Sequence, residues 1–522
     1  MRKQENAYLT VYLALCITLI LSLCLTLIEG ARRNGARLET EIAAEIGLQS
    51  VLAEYHRELF NQYNLFAVDS SYGTNLPGKI NTEKHLEYYL KKNLDLKDVF
   101  LGSLFYRDFF ALYAKKVSLE RVSVLTDEKG AVFRKCAAEA VKDDIGLNLL
   151  MQLQNWMQVI EINGLEERDV EEEKDRLDYE IQEYDGMEID IGEEEPYIFH
   201  ISNPTIRLEE QRKKGILKLV LDENSELSAG VFRTEGSVTD RMEQGQTNRG
   251  NIALKPLSEA DQLWERFLFQ EYLLRYMGHY GKVDEEDGLK YQIEYLVSDG
   301  NSDAENLRSV LNRICAIREA ANTLHLLSDT EKRGEAELAA ALVCDLAMVP
   351  EVAPVLEAAI ILGWAFAESI YDVKTLIAGG SVPLLKDTES WHYSLENALS
   401  GKLNEREETE NEKTYENEEF YEIREFHENG EFYEIEEFHE SEKFHKNDLT
   451  YEDYLRIFMM CTDLDTLTAR AMNMVEADIR MTSGNGAFRL DGCYAGLEAY
   501  IEVESRHGFQ FEITRKKFYF PQ

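Results

Sequence analysis

Residues 7–28 read AYLTVYLALCITLILSLCLTLI, an apolar run without a charged side chain. About 20 such residues are enough for an α-helix to cross the hydrocarbon core of a bilayer. We therefore predict a short tail at residues 1–6 and a transmembrane helix at residues 7–28, with the lipid bilayer as the partner of that helix. The alternative is a signal peptide cleaved after Ala31, but its apolar core would be shorter.

Apolar side chains continue beyond this run at helical spacing. They recur every three or four residues with charged residues between them, and they are Leu38, Ile42, Ile46, Leu48, Leu52, Tyr55 and Leu59. This spacing predicts a stalk helix over residues 29–61, ended by the turn-forming residues that follow it. The apolar stripe of this helix needs a partner, either the rest of the chain or another subunit.

Residues 62–400 are predicted to form a mainly helical soluble region. Helical spacing of apolar residues is clearest from about Glu259 to Leu385, and alternating apolar residues predict a strand near Lys116–Leu125. The run ILKLVLDE, which begins at Ile216, has the composition of a strand. We expect a hairpin or loop from there to Ala253.

The most apolar part of this region, Leu338–Ala367, is a candidate for a second membrane span. It contains Asp345, Glu351, Glu357 and two prolines. Burying these charges in a bilayer would cost several kcal/mol. We therefore predict two buried helices separated by a proline-marked turn, with a second span as the alternative.

Two acidic segments interrupt the soluble region. Residues 165–195 are dense in Glu and Asp and are predicted to form an exposed helix or loop. Residues 401–447 form an acidic low-complexity repeat, in which FYEIREFHENGE at 420–431 is followed by FYEIEEFHESEK at 432–443. Two copies are too few for a solenoid, so we interpret the repeat as an insertion in a surface loop.

Residues 448–522 are predicted to form a C-terminal helix and strands. The helix opens with YEDYLRIFMM at Tyr451 and continues to about Arg480, and residues 487–520 alternate like two half-buried strands. The predicted fold class is therefore mainly α with smaller β elements (α+β), with one N-terminal transmembrane helix that continues into the stalk helix.

The chain is strongly acidic, with 98 Asp and Glu against 56 Lys and Arg and a formal charge of −42. Because such a charge repels phosphate backbones, nucleic acid is not expected as a partner. Cys16 and Cys24 lie in the apolar run, and the other five cysteines are scattered without a CxxC pair. This spacing favours core cysteines over a zinc or redox site.

Motifs for catalysis or metal binding are absent or incomplete. His427, His439 and His445 lie among carboxylates, but the HExxH spacing fails because Glu431 and Lys443 stand at the second histidine position. The sequence has no phosphate-binding loop, dinucleotide fingerprint or nucleophile elbow. We therefore predict no catalytic, cofactor-binding or metal residues, and a protein that is not an enzyme.

Asp299, Asn301, Asp303 and Glu305 resemble the start of a calcium loop because they place oxygen ligands at alternate positions. The loop would need glycine at residue 304, which is alanine, and a bidentate glutamate at residue 310, which is valine. The segment is therefore predicted to be a loop that leads to a helix N-cap.

Tyr8–Gly73 resembles an uncharacterised family of Gram-positive membrane proteins associated with Tad (Flp) pilus assembly loci, whose members look like large relatives of the minor pilins TadE and TadG. Three further stretches are similar to that family: LKYQIEYLVSDGNSDAENL at Leu289–Leu307, ILGWAFAESIYDVKTLIAGGSVPLLK at Ile361–Lys386 and DYLRIFMM at Asp453–Met460. The resemblance implies a single-pass cell-membrane protein with an extracytoplasmic soluble portion. It also implies that pilus subunits or assembly proteins bind the stalk helix, and it brings no known active site.

Two further features bear on processing and orientation. Ala7 stands where related prepilins have the glycine of the cleavage point, and Val11 or Tyr12 stands where they have a glutamate. This departure favours an anchor that is not cleaved. Basic residues flank the span on both sides and do not select an orientation, so the outward orientation follows from the resemblance alone.

These observations lead to three hypotheses. The first is a non-catalytic structural or assembly component of a Tad/Flp-type surface pilus. The second is a membrane-tethered extracellular binding module that takes cations or cell-wall components through its acidic segments. The third is an extracellular hydrolase with an unrecognised carboxylate site.

Overall fold

The computed structural model describes residues 2–74, 76–94, 110–186, 188–189, 197–198, 200, 203–221, 227–283, 288–347, 350–401, 403 and 448–521. Over these residues the protein is mainly helical with small sheets, as predicted. The helices are α1 Arg2–Leu52, α2 Arg57–Tyr63, α3 Lys79–Leu94, α4 Asp127–Val141, α5 Leu147–Ile162, α6 Val170–Tyr184, α7 Ile206–Arg212, α8 Ile216–Val220, α9 Val238–Glu243, α10 Glu259–Tyr276, α11 Gln292–Ser298, α12 Asp303–Ser328, α13 Thr330–Ala347, α14 Ala353–Ile377, α15 Leu395–Ser400, α16 Tyr451–Cys461 and α17 Leu464–Met481. The strands are β1 Val68–Asp69, β2 Leu112–Val124, β3 Glu188–Ile189, β4 Tyr197–Ile198, β5 Val382–Pro383, β6 Asp448–Leu449, β7 Cys493–Ser505 and β8 Gln510–Phe518.

Helix α1 continues without a break beyond the apolar run as far as Leu52. We call the described residues after α1 the head. Its side chains between residues 8 and 30 are almost all exposed, as a membrane-spanning helix requires. The predicted stalk helix over 29–61 is too long, because α1 ends at Leu52. The His56 ring accepts a hydrogen bond from the backbone N–H of Leu59 and thereby caps a separate helix, α2.

An antiparallel sheet lies beside α1. Its central strand, β7, pairs with β2, β8 and the short β1. The predicted strand near Lys116–Leu125 lies in β2, and the two strands predicted in residues 487–520 are β7 and β8. A core formed by α1, α3 and this sheet includes Leu48, Leu86 and Ile501.

A larger core unites the other helices. Helix α12 packs along α14, which also packs against α13. The helical block predicted from Glu259 to Leu385 is therefore present. Within Leu338–Ala367 the chain forms two helices separated by a 3-10 turn at Pro350–Val352, as predicted. The apolar window of α14 is 72% buried inside the protein, which fits a core helix.

Two further predictions about local structure need correction. The strand-like run that begins at Ile216 forms helix α8, because Ile216, Leu219 and Val220 place three buried side chains on one helical face. The helix predicted from Tyr451 to Arg480 is two helices, since Asp463 accepts a hydrogen bond from the Thr466 N–H and starts α17.

The two acidic segments have different outcomes. Within residues 165–195, helix α6 exposes its acidic face but buries Leu177 and Ile181 in the larger core. The prediction of an exposed segment therefore holds for one face only, because an amphipathic helix needs few apolar residues to dock. The repeat at 401–447 lies outside the described residues, apart from Gly401 and Leu403.

Candidate functional site

One face of α1 packs closely on the head through mainly small side chains. The buried residues of this face are Ala36, Thr40, Ala43, Ala44, Leu48, Val51 and Leu52. A Cβ atom on Gly47 would lie 3.2 Å from Leu90 and 3.3 Å from Leu86, both on α3. A Cβ atom on Gly35 would lie 2.7 Å from the Phe110 ring. Glycine and alanine therefore allow the close approach of α1 to the head.

Ion pairs fix the position of α1 along strand β8. Arg515 lies 3.5 Å from the Glu41 carboxylate, and the Lys517 ammonium lies 2.6 Å from that of Glu45. The hydrogen bond from Lys517 lowers the pKa of Glu45 below its ordinary value. From the first ion pair to the second, the chain advances two residues along β8 and four residues along α1. Both residue numbers increase, so β8 and α1 run in the same direction.

The end of α1 is held by hydrogen bonds. The Tyr519 hydroxyl donates to the backbone carbonyl of Leu52. Just beyond the helix, the Glu54 carboxylate accepts a hydrogen bond of 2.7 Å from the Tyr89 hydroxyl and lies 3.0 Å from the His85 ring. The hydrogen bond to Glu54 raises the pKa of Tyr89 to about 12. Helix α1 is therefore held to the head at several points along its packed length.

The opposite face of α1 exposes three large apolar side chains. Leu38, Ile42 and Ile46 are 59%, 50% and 41% exposed, and with about 3.6 residues per turn they fall on one line. We call this line the α1 stripe. Leu38 lies about 15 Å beyond Ile28, the last residue of the apolar run, at about 1.5 Å per residue. The headgroup layer is only about 5–8 Å thick, so a bilayer that surrounds residues 7–28 would not cover the stripe.

A polar cavity of about 530 Å³ lies at the start of α4. Glu128 and Lys129 line this cavity, and both have left-handed backbone conformations, with φ of 50° and 57°. Asp127 accepts hydrogen bonds of 2.7 Å from the backbone N–H groups of Val124 and Gly250. Burial nevertheless raises the pKa of Asp127 above its ordinary value. Strained non-glycine backbone is more frequent at functional sites, so this cavity is a second candidate.

Four charged side chains are buried together in the larger core. The Arg318 guanidinium on α12 lies 2.9 Å from Asp372 on α14, and the Lys386 ammonium lies 2.6 Å from the same carboxylate. Lys386 also pairs with Glu368 on α14. Burial alone would raise the pKa of Asp372, but the Arg318 and Lys386 charges lower it below the ordinary value. Two positive and two negative charges balance, as a structural network requires.

The calcium-like segment is a helix cap, as predicted. The Ser302 hydroxyl accepts a hydrogen bond from the Glu305 N–H at the start of α12. The Asp303 carboxylate accepts bonds of 3.0 Å and 2.9 Å from the N–H groups of Lys290 and Tyr291, so backbone donors occupy its oxygens. In the described ranges, no group of three His, Cys, Asp or Glu residues is arranged to hold a metal ion.

The histidines of the repeat and the cysteines are the remaining residues that the sequence singled out. His427, His439 and His445 lie outside the described residues. All seven cysteines lie within the described residues and are free. Four of the five outside the apolar run are buried, which agrees with core cysteines; they are Cys136, Cys315, Cys344 and Cys493. Cys461 is exposed.

Residues 198–505 match the model of a family of unknown function, DUF5702. The match covers more than half of the chain. The chain belongs to the DUF5702 family. No match is found among curated proteins or among solved structures.

The DUF5702 match covers most of the larger core together with β7 and does not include α1, so the matched region and the α1 stripe lie in different parts of the chain. The stretch Ile361–Lys386 supplies Glu368, Asp372 and Lys386, three of the four buried charges. No local sequence pattern indicates their pairing, because Arg318 lies far away along the chain. Periodicity did mark the α1 stripe.

Proposed function

We propose that this DUF5702 protein is a membrane-anchored, non-catalytic structural or assembly component of a Tad/Flp-type surface pilus. In this proposal the α1 stripe packs against helices of other subunits that are anchored in the same membrane. One observation carries it: three large apolar side chains are exposed on a helix that continues from the span, at a height the bilayer does not cover.

Helices are the partners that this surface fits best. Leu38, Ile42 and Ile46 stand four residues apart and form a narrow seam rather than a broad patch. Apolar seams of this kind are typical of helix-on-helix packing. A second helix that emerges from the same bilayer would already run beside α1, so little orientational freedom would be lost on binding.

A structural role also agrees with how α1 joins the head. The helix is docked through its small-residue face, two ion pairs to β8 and the hydrogen bonds at its end. The head is therefore oriented by the span and cannot swing freely on a linker. Such a rigid connection suits a subunit that transmits position within an assembly. The resemblance to pilus-associated proteins supplies the identity of that assembly.

The test is a triple substitution of the stripe, Leu38→Gln, Ile42→Gln and Ile46→Gln, in the cell that produces the protein. Glutamine forms helices well, so α1 should remain intact. We expect loss of surface pili and loss of co-purification with pilus subunits. The matched control replaces three exposed leucines elsewhere on the head, Leu147→Gln, Leu338→Gln and Leu342→Gln. Normal pili in the stripe variant, or equal loss in both variants, would contradict the proposal.

The orientation of the head has its own test. The proposal places the head outside the cytoplasm, with α1 retained as an uncleaved anchor. Protease added to intact cells should therefore digest the head, and the mature protein should begin at Met1 or Arg2. A head protected from protease until the cells are lysed would place it in the cytoplasm and contradict the proposal.

The polar cavity supports a second candidate function, a membrane-tethered binding module. Lys129 and Arg249 provide positive charge at the cavity, and Glu128 provides negative charge. A polar ligand with both charges, such as a cell-wall peptide, would fit this chemistry. Isothermal titration of the full-length protein in detergent with soluble wall fragments tests it. Binding that Arg249→Ala removes would favour this function, whereas absence of heat would exclude it for these fragments.

A further inference from the structure

The turn between β7 and β8 forms a rigid tip on the head. The Ser505 hydroxyl donates to the backbone carbonyl of Phe110, and the Arg506 N–H donates to that of Ala111 at 3.0 Å. Across the turn, the Ser505 N–H donates to the carbonyl of Phe509 at 2.8 Å. Gly508 has a φ of 88°, which favours glycine. We call residues 506–509 the β7–β8 tip.

Two contacts place this tip near the membrane. Strand β8 runs in the same direction as α1 from Arg515 opposite Glu41, so the six residues back to Phe509 carry the strand about 20 Å towards the span. A second contact supports this placement. The backbone carbonyl of Phe110 accepts a hydrogen bond from Ser505, and the Phe110 ring packs against α1 at Gly35. Gly35 is seven residues, about 10 Å, beyond the end of the apolar run. The tip therefore lies at or just above the headgroup layer.

The composition of this end of the protein suits an anionic membrane surface. Arg506 and His507 are exposed on the tip, and Arg33 is exposed on α1 about one turn beyond the apolar run. Within the described part of the chain, Arg506 forms no ion pair with a carboxylate. Phe509 is half-buried beside the tip. Glu504, the acidic residue next to the tip, is paired with Lys115 at 2.5 Å.

The local charge is positive, opposite to the formal charge of −42 of the whole chain, because four basic residues outnumber three acidic ones at this end: Arg32, Arg33, Lys115 and Arg506 against Glu29, Glu502 and Glu504. An overall negative protein would be repelled by an anionic bilayer unless the part that faces the bilayer is basic. Cationic side chains within a Debye length of anionic headgroups are attracted to them, and aromatic rings favour the same interface.

We propose that the β7–β8 tip, together with Arg33, binds anionic lipid headgroups and thereby seats the head on the membrane surface. The proposal rests on the membrane anchoring of α1, which is part of the proposed function, but it does not require any pilus partner. It assigns a lipid-binding role to a turn that neither the sequence patterns nor the family match single out.

The test uses the full-length protein in nanodiscs of neutral phosphatidylcholine or of phosphatidylcholine with 30% phosphatidylglycerol. Hydrogen–deuterium exchange is measured for the backbone amides of residues 505–511. We expect slower exchange in the anionic nanodiscs, by about fivefold for each cationic side chain in contact. High salt should remove the difference, because screening shortens the range of these charges.

The decisive variants reverse charge. Arg506→Glu combined with Arg33→Glu should abolish the lipid-dependent protection. Arg233→Glu makes the same kind of change away from the tip and should leave the protection intact, because the neighbouring Phe232 N–H donates to the carbonyl of Asn301, beside the start of α12. Equal exchange of wild-type protein in neutral and anionic nanodiscs would overturn the proposal. Failure of the protein to enter either nanodisc would instead contradict the anchoring by α1, so the two failures are distinguishable.

Discussion

The region around α1 and the larger core differ in where their charged and apolar side chains lie. Beside α1, the ion pairs lie at the edge of the packed face and three large apolar side chains are exposed. In the larger core, the Arg318, Asp372, Lys386 and Glu368 charges are buried as one network and apolar side chains surround them. A buried, balanced network is satisfied within the chain, whereas the exposed apolar line on α1 has no cover within the described residues. The α1 stripe is therefore the better candidate for a contact surface.

The largest expected effect comes from breaking the buried network. Arg318→Leu leaves Asp372 and Glu368 with only Lys386 as a charged partner in a dry core. We expect the free energy of unfolding to fall by about 3–5 kcal/mol, the usual cost of an uncompensated buried charge. Urea unfolding of the purified protein in detergent measures this change.

The matched control for that variant is Arg37→Leu, which removes the exposed ion pair to Glu41 on α1. Exposed pairs contribute little, so we expect a change within about 1 kcal/mol. Similar losses in the two variants would show that the network is no more important for stability than a surface pair.

The packed face of α1 should show the next largest effect. Gly47→Leu places a side chain against Leu86 and Leu90, and overpacking of this kind costs about 1–3 kcal/mol. Amide exchange along residues 36–52 should accelerate as α1 separates from α3. Gly30→Leu is the control, because a Cβ atom there has no neighbour within 4 Å. Unchanged exchange in Gly47→Leu would mean that α1 is not held in this way.

Low pH should lower the stability of the larger core by a smaller amount than these substitutions. The net pKa of Asp372 is lowered by the Arg318 and Lys386 charges, despite its burial. A carboxyl whose pKa is lowered on folding contributes stability above its unfolded pKa of about 4, and this contribution is lost as pH falls through the folded pKa. We expect the melting temperature to fall steadily below about pH 4. An Asp372→Asn variant should start from a lower melting temperature and depend less on pH; an unchanged pH dependence would contradict this assignment.

The smallest effect on stability is expected at the α1 stripe. Replacing Leu38, Ile42 and Ile46 with glutamine alters exposed positions, so the free energy of unfolding should change by no more than about 0.5 kcal/mol. The same variant is expected to lose surface pili. Loss of pili with almost unchanged stability would show that the stripe is a contact surface and does not stabilise the fold. A large loss of stability would instead place these side chains inside the fold.

The sequence predicted the elements whose patterns are local. The uncharged run before Ile28, the alternation in β7 and β8 and the proline turn before α14 each depend on neighbouring residues. It placed Leu48 and Leu52 on the same stripe as Leu38, whereas the structure buries the first two and exposes the third. A count of large apolar residues could not separate the two faces.

Other features could not be predicted because their partners are distant or small. The packed face of α1 depends on Ala43, Ala44 and Gly47, which carry no hydrophobic signal of their own. The buried network joins Arg318 to residues more than 50 positions away. The height of the β7–β8 tip relative to the apolar run follows from the ion pair of Arg515 with Glu41 and from the contact of Phe110 with Gly35, and no local pattern in the turn itself indicates it.

Cross-linking in intact cells would show whether the α1 stripe contacts another membrane-anchored subunit. A photoreactive phenylalanine replaces Ile42 in one strain and Leu338 in another, and both are irradiated. We expect the Ile42 probe, but not the Leu338 probe, to form an adduct with a pilus subunit that has its own N-terminal membrane helix. Adducts confined to the chain itself, or the same adducts from both positions, would contradict it.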